Sequence, residues 1–586
     1  MKWYITFAAL AVMLVVASAC LGAVSAEEVA AVPLVVRTQL GRVQGVQRHD
    51  VLEYRGIPYA APPVGARRFA LPHRAAAWGA VRDASAFGPA CPQQARFHLT
   101  DASSAEDCLT LNVSVPLGTQ VGARLPVLFY IHGGAYVGGS SNLYRLDKLA
   151  RLGKMVVVSV NYRLGVLGFM PHPAFASHEH LNGNYGLEDQ RFALQWVQEN
   201  IAAFGGNPLN VTIAGESAGA ASVCMHLASP EHTKGLFQKA LIISVGCLQP
   251  VKTVAMGLQT GLSVASMLGC TGSSSKEVRH CMQHASIERI LSAQGSYSAL
   301  HPTELAPFAP VVGTRDDPNA TVPRAVSAAL TTGHFATVPL MMGGARDELR
   351  LYVGYWWQAW KADPTRSPAL DAANFDAVWL PLLYPEGADL TGHNNAARVS
   401  AEYTPAGGWS SLSDASVPEA LGELMSDFTP AMAINNCLYL HTADAFRAYA
   451  QARSLFFPLY EYEFSDPDAP VMGVGIAKPY PPFAMGPVHS AMLNYLFPQM
   501  SNTKAIDAPE LPASAEALGD QMVYYIAQFM RSATTEVAGL PVWPVYGGGP
   551  TVMNFVPGNS QAYDANRQHH CAFWADLYPD RLGSLH

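Results

Sequence analysis

Residues 215–219 read Gly-Glu-Ser-Ala-Gly, placing a serine between two glycines at fixed spacing. A serine hydroxyl is a weak nucleophile by itself. It needs a neighbouring base and hydrogen-bond donors for the oxyanion that its attack creates. Asn210-Val-Thr-Ile-Ala214 reads as a buried strand and Ala218-Gly-Ala-Ala-Ser-Val223 as a small-residue helix. Ser217 therefore falls on a strand–turn–helix elbow. Glycines at 215 and 219 suit a strained turn with closely packed neighbours, and the helix N-terminus favours negative charge developing near Ser217. A second motif answers the oxyanion. His132-Gly133-Gly134-Ala135-Tyr136 follows the apolar run Val127 to Ile131. The bare backbones of Gly133 and Gly134 can each aim an N–H at a tetrahedral oxyanion, with Ala218 N–H as a third donor. Alone, each motif is also an ordinary glycine-rich turn; together they point to acyl transfer through serine.

These motifs need a scaffold that brings distant segments to one place. Val127–Ile131, Met155–Val160 and Asn210–Ala214 are short continuous apolar runs. Residues 186–204 carry a helical pattern, with Leu187, Phe192, Leu194, Trp196, Val197 and Ile201 on its apolar face. Buried strands alternating with helices predict an α/β fold with a large, mostly parallel central sheet flanked by helices. Residues 351–417, rich in Trp, Pro, Gly and Asn, predict helices and loops near a site entrance.

Of 586 residues, 49% are hydrophobic and 14% charged, against about 25% charged in ordinary globular chains. That balance excludes intrinsic disorder. The 37 basic and 45 acidic residues give a net charge of −8, which argues against a nucleic-acid partner. No Cys/His spacing fits zinc, and no metal or cofactor is expected.

Residues 1–26 read as a signal peptide: Lys2, an apolar run through Leu14-Val-Val16, then Val24-Ser-Ala26 before Glu27-Glu28. The alternatives are an uncleaved anchor helix and a lipid anchor at Cys20, for which Ala17 makes a poor lipobox. No later segment reads as a membrane span, so the chain is expected to be secreted or held in the lumen of the secretory pathway. Removing Cys20 leaves eight cysteines, which an oxidising compartment could pair in any of 105 ways. Cys91/Cys108 and Cys270/Cys281 would each close a short loop. Glycosylation sequons start at Asn112, Asn210 and Asn319, and only Asn319 is expected to be well exposed.

Beyond the two glycine motifs, longer stretches carry a resemblance. They are Tyr54-Arg-Gly-Ile-Pro-Tyr-Ala-Ala-Pro-Pro-Val-Gly65, Ala105-Glu-Asp-Cys-Leu-Thr-Leu-Asn-Val113 and Asn161-Tyr-Arg-Leu-Gly-Val-Leu-Gly-Phe169. Gly186-Leu-Glu-Asp-Gln-Arg-Phe-Ala-Leu-Gln-Trp-Val197, Val542-Trp-Pro-Val-Tyr546 and Cys571-Ala-Phe-Trp574 belong with them. The chain resembles the type-B carboxylesterase/cholinesterase family of α/β-hydrolases. The resemblance implies an α/β-hydrolase fold, a single catalytic domain over 27–586 with helices and loops inserted above the site, and a Ser…Glu…His triad. Met341-Met-Gly-Gly-Ala-Arg-Asp-Glu348 matches the acid segment, making Glu348 the candidate acid, although Leu349 stands where the family has glycine and Asp347 competes. Gly486-Pro-Val-His-Ser490 matches the base segment, giving His489, with Ser490 at another family glycine position. Glu216 resembles a carboxylate that tunes the site electrostatically, a structural hydrogen-bonding role being the alternative.

The resemblance further implies disulfides Cys91–Cys108, Cys270–Cys281 and Cys437–Cys571, with Cys224 and Cys247 left as buried free thiols. Cholinesterases hold quaternary ammonium on a tryptophan ahead of the equivalent of Cys108. Here that segment holds Phe97 and His98 and no tryptophan, and residues 304–310 lack clear equivalents of the acyl-pocket phenylalanines. A small-molecule carboxylic ester of broader type is expected rather than a choline ester. The alternatives are a lipase, sterol esterase or thioesterase acting on long acyl chains, and a non-catalytic adhesion protein of the same superfamily.

Overall fold

A computed structural model describes residues 30–582 except 95–102, 177–182, 302–303, 305, 314–319, 366–367, 386–394, 406–407, 415, 472–475, 477, 499–508 and 548. The expected signal peptide with Cys20, and Phe97, His98 and Asn319, lie outside the described residues.

Eleven strands form the central sheet: β1 (Val46–Arg48), β2 (Val51–Pro58), β3 (Thr110–Pro116), β4 (Leu125–Ile131), β5 (Val156–Val160), β6 (Gly206–Glu216), β7 (Lys239–Ile243), β8 (Leu340–Ala345), β9 (Leu459–Phe464), β10 (Val552–Phe555) and β11 (Gln561–Tyr563). Their order across the sheet is β11-β10-β9-β8-β7-β6-β4-β5-β3-β2-β1. The strands from β10 to β5 in that order run parallel, and the strands at both flanks pair antiparallel. The chemistry of the central strands explains this. Val156-Val-Val-Ser-Val160 is buried at every position, a β-branched run that fits only a strand covered on both faces.

Seven helices matter for the site: α1 (Tyr185–Asn200), α2 (Ala218–Leu227), α3 (Arg350–Ala362), α4 (Val417–Asp427), α5 (Asn436–Ala452), α6 (Ala513–Ser532) and α7 (Cys571–Leu577). The predicted helix over 186–204 is α1 followed by a 3-10 turn, Ile201–Phe204. The obscure stretch 351–417 contains α3, further short helices and the start of α4. Arg163 joins the end of β5 to α1. Its guanidinium donates to both Asp189 carboxylate oxygens at 2.7 and 2.8 Å, and its backbone N–H to Asp189 at 3.0 Å. A buried bidentate pair of this kind adds direction as well as energy. Among the described residues, no helix is long and apolar enough to cross a membrane.

The structure contains the disulfides Cys91–Cys108, Cys270–Cys281 and Cys437–Cys571. It corrects the expectation of free thiols, because Cys224 is bonded to Cys247. Cys224 lies on α2 and Cys247 just beyond β7, and packing of that helix on that strand sets their Cα atoms 5.4 Å apart. Their apolar surroundings were legible in the sequence; their distance was not. The Asn112 sequon is buried within the sheet, its amide shared among Gly56 N–H and the hydroxyls of Ser141 and Ser159.

A buried charge cluster ties the end of the chain to the sheet. His569 contacts the Asp427 carboxylate of α4 through Nδ1 at 2.5 Å and the Glu463 carboxylate of β9 through Nε2. The remaining carboxylate oxygens accept from Tyr403 Oη at 2.8 Å and Ser465 Oγ at 2.7 Å. Burial alone would lower the imidazole pKa, but the charges of Glu463 and Asp427 outweigh it and push His569 up to about 10. Burial would raise Glu463, yet the facing imidazolium draws it below its ordinary value. Stabilisation from His569 is thus complete below its ordinary value of 6.5 and disappears as pH rises through about 10. His569→Gln is expected to cost about 3–5 kcal/mol at neutral pH, because it leaves two carboxylates buried without their cation. Between about pH 7 and 10 the wild type should lose denaturant midpoint more steeply than the variant. Parallel pH dependences would show that His569 is not charged in the folded protein.

Candidate active site

Parallel strands deliver their C-terminal ends to one edge of a sheet, and the candidate residues follow three such ends. Gly133 and Gly134 follow β4, Ser217 follows β6, and Glu348 lies three residues beyond β8. Ser217 takes φ 55° and ψ −123°, and its N–H donates to Ile243 O of β7 at 3.0 Å. A side chain in that region is strained and must be held there by its surroundings. Gly219 shows how. A Cβ on it would sit 2.1 Å from the carbonyl oxygen of Ile131, so the first turn of α2 lies directly on the end of β4. A Cβ on Gly133 would likewise stand 2.5 Å from Glu216 Oε2 and 3.1 Å from Ser217 Cβ. The Gly133–Gly134 loop and the elbow are therefore in direct contact, which sequence separation alone did not require.

The loop has its own supports. Gln93 exchanges two hydrogen bonds with Gly139, donating to its carbonyl at 2.9 Å and accepting from its N–H at 3.0 Å. Tyr162 Oη donates to His132 O at 2.8 Å, and the Tyr162 ring stacks on His132 at 4.4 Å. Burial pushes His132 down to about 4, so the ring stays neutral and its Nδ1–H donates to Gly133 O at 2.8 Å.

Glu348 is fully buried, with Ala345 N–H donating to its Oε1 at 2.8 Å. Its Oε2 accepts from His489 Nδ1 at 2.6 Å. Two backbone bonds register the loops that carry them, from His489 N–H to Glu348 O and from Asp347 N–H to Pro487 O. Asp347, the competing acid, faces Arg346 at 2.8 Å and Arg350 at 3.1 Å instead. Leu349 adopts φ −87°, so the position needs no glycine in this chain.

The other ring nitrogen, His489 Nε2, lies 3.3 Å from Glu216 Oε1. The structure thus brings Glu348, His489 and Glu216 together, with Ser217 as the residue following Glu216. Ser217 Oγ makes no hydrogen bond to His489 here, a contact that commonly tightens only when substrate binds. Burial would lower the His489 pKa, but the carboxylates of Glu216 and Glu348 overcome it and raise it to about 9. Burial and the Glu348 charge raise Glu216, partly offset by His489 and by the Ser490 hydroxyl. Tyr352 of α3, whose ring lies 6.3 Å from that of His489, joins the site without any local signal in the sequence. Ser490, which in the sequence is only a departure from glycine, donates to Glu216.

The description "Carboxylesterase family" fits residues 32–574. The chain belongs to the carboxylesterase family. Among members similar to it, the acylcarnitine hydrolase of Mus musculus is 30% identical over 572 residues, which is 94% of this chain and 92% of that protein. The cocaine esterase of Homo sapiens is 30% identical over 568 residues, with the same coverage. Neuroligin-2 of Mus musculus is 33% identical over 402 residues, 61% of this chain and 46% of that protein. The pH response of this sheet edge is read on an ester. With His489 as the expected base, which must be neutral to act, kcat/KM on p-nitrophenyl acetate should rise with pH along a limb above the ordinary imidazole value of 6.5. Glu216→Gln removes one of the two facing charges and should move that limb down by about one unit. An unmoved limb would show that Glu216 has no electrostatic hold on His489.

Proposed function

We propose that the protein is a serine hydrolase that cleaves small-molecule carboxylic esters through an acyl-enzyme. The observation carrying this reading is the 2.6 Å contact between His489 Nδ1 and Glu348, which turns Nε2 toward the Glu216–Ser217 turn, 3.3 Å from Glu216 Oε1. In this mechanism Ser217 Oγ attacks the ester carbonyl while His489 Nε2 takes its proton. The oxyanion is held by the N–H groups of Gly133, Gly134 and Ala218. His489 then passes the proton to the departing alcohol, and water repeats the sequence on the acyl group. Glu348 keeps the imidazole in the tautomer protonated at Nδ1 and stabilises the imidazolium.

Family membership and the esterase and hydrolase names of its relatives support this reaction class. The presence of all three reacting side chains opposes a non-catalytic adhesion role. The absence of tryptophan between Cys91 and Cys108 supports a general carboxylesterase over a cholinesterase. Four disulfides fit the oxidising compartment that a 1–26 leader would lead to, with residues 27–586 as one catalytic domain.

Ser217→Ala should lower kcat/KM on p-nitrophenyl acetate by at least about 10³-fold with the fold intact. A fluorophosphonate probe should label the wild type and not the variant. Turnover persisting in purified Ser217→Ala would refute the mechanism. Across p-nitrophenyl esters from acetate to palmitate, kcat/KM should peak among the short acyl chains; a maximum at palmitate would instead indicate a lipase or sterol esterase.

A further inference from the structure

Ser490 follows the base directly and adopts φ +68°, a left-handed backbone in which side chains other than glycine are disfavoured. It also occupies a position where the resembling family has glycine. Nothing in the backbone therefore calls for a serine. What the side chain does is specific: Ser490 Oγ donates to Glu216 Oε1 at 2.5 Å. The same carboxylate oxygen lies 3.3 Å from His489 Nε2. The other carboxylate oxygen, Oε2, is turned toward Gly133.

We propose that Ser490 is a positioning residue: its hydroxyl anchors the Glu216 carboxylate beside Nε2 of His489 and keeps it ionised there. This rests on reading His489 as the base. Glu216 is buried next to a second carboxylate, Glu348, so without a donor its charge is poorly supported. A proton arriving at the cluster would then pass to Glu216 rather than stay on the imidazole. The imidazolium of the transition state would keep Glu348 but lose this second facing carboxylate. Among the described residues, the other ionisable groups facing the cluster are phenols: Tyr130 of β4, Tyr144, Tyr162, Tyr352 and Tyr355 of α3, Tyr439 of α5 and Tyr462 of β9. Burial pushes all of them up, so they stay neutral while the histidine titrates.

The test compares wild type, Ser490→Gly and Ser490→Ala on p-nitrophenyl acetate across pH. Glycine relieves the backbone and alanine does not, while both remove the hydroxyl. Both variants should lose roughly tenfold in kcat with KM within about twofold, the size expected for a hydrogen bond to a charged group. In both, the acid limb of kcat/KM should move to lower pH by about half a unit or more. In a Glu216→Gln background, Ser490→Gly should shift the limb no further. Limbs coinciding with wild type, or an additional shift in the Glu216→Gln background, would overturn the proposal. So would a Ser490→Gly enzyme equal to wild type beside an impaired Ser490→Ala, since that pattern reports backbone conformation alone. If wild type itself fails to turn over esters and escapes the fluorophosphonate probe, the esterase reading fails instead.

Discussion

The approach of the first turn of α2 to the end of β4 governs the geometry of everything nearby. With Gly219 pressed on the carbonyl of Ile131, the helix starts directly against the end of β4, beside the Gly133–Gly134 loop. Ser217, at φ 55° and ψ −123°, holds its strained conformation beside that contact. On the other side of the elbow, Gly133 of the loop lies directly against Glu216 and Ser217. Two glycines far apart in sequence therefore serve one close packing.

Around that point the electrostatics depend on burial. Glu216, Glu348 and His489 are each nearly removed from water, so their charges act on one another without screening. One imidazole between two carboxylates is a net acidic cluster, and it accounts for the raised pKa of the histidine. His569, between Asp427 and Glu463, repeats the arrangement elsewhere in the fold. The contrast is instructive. Both nitrogens of His569 are taken by carboxylates at hydrogen-bond length, whereas His489 Nε2 keeps a longer contact that a hydroxyl could replace.

Much of the scaffold was legible in advance because its signals are local. Valine runs at 156–160, the apolar face of 186–204 and the glycines flanking Ser217 depend on neighbours within a few positions. The 351–417 region was harder to read, since its short helices are held by aromatic contacts to one another rather than by their own periodicity. Trp356 stacks on Trp379, and Phe375 on Trp409. The Cys224–Cys247 bond was missed for a related reason. Burial is written in composition, but proximity depends on how a helix settles on a strand.

The amino-acid sequence by itself determined the alternation of buried strands and helices, the elbow at Ser217 and the glycine loop at Gly133–Gly134. Each follows from residue types acting over one or two turns of chain. Tertiary structure alone decided that Glu348 rather than Asp347 meets His489, because two backbone bonds between their loops set the register. It also decided that Leu349 needs no glycine and that Ser490 reaches back across 274 positions to Glu216. Contacts over such separations depend on the packing of the whole sheet edge, which no local pattern encodes.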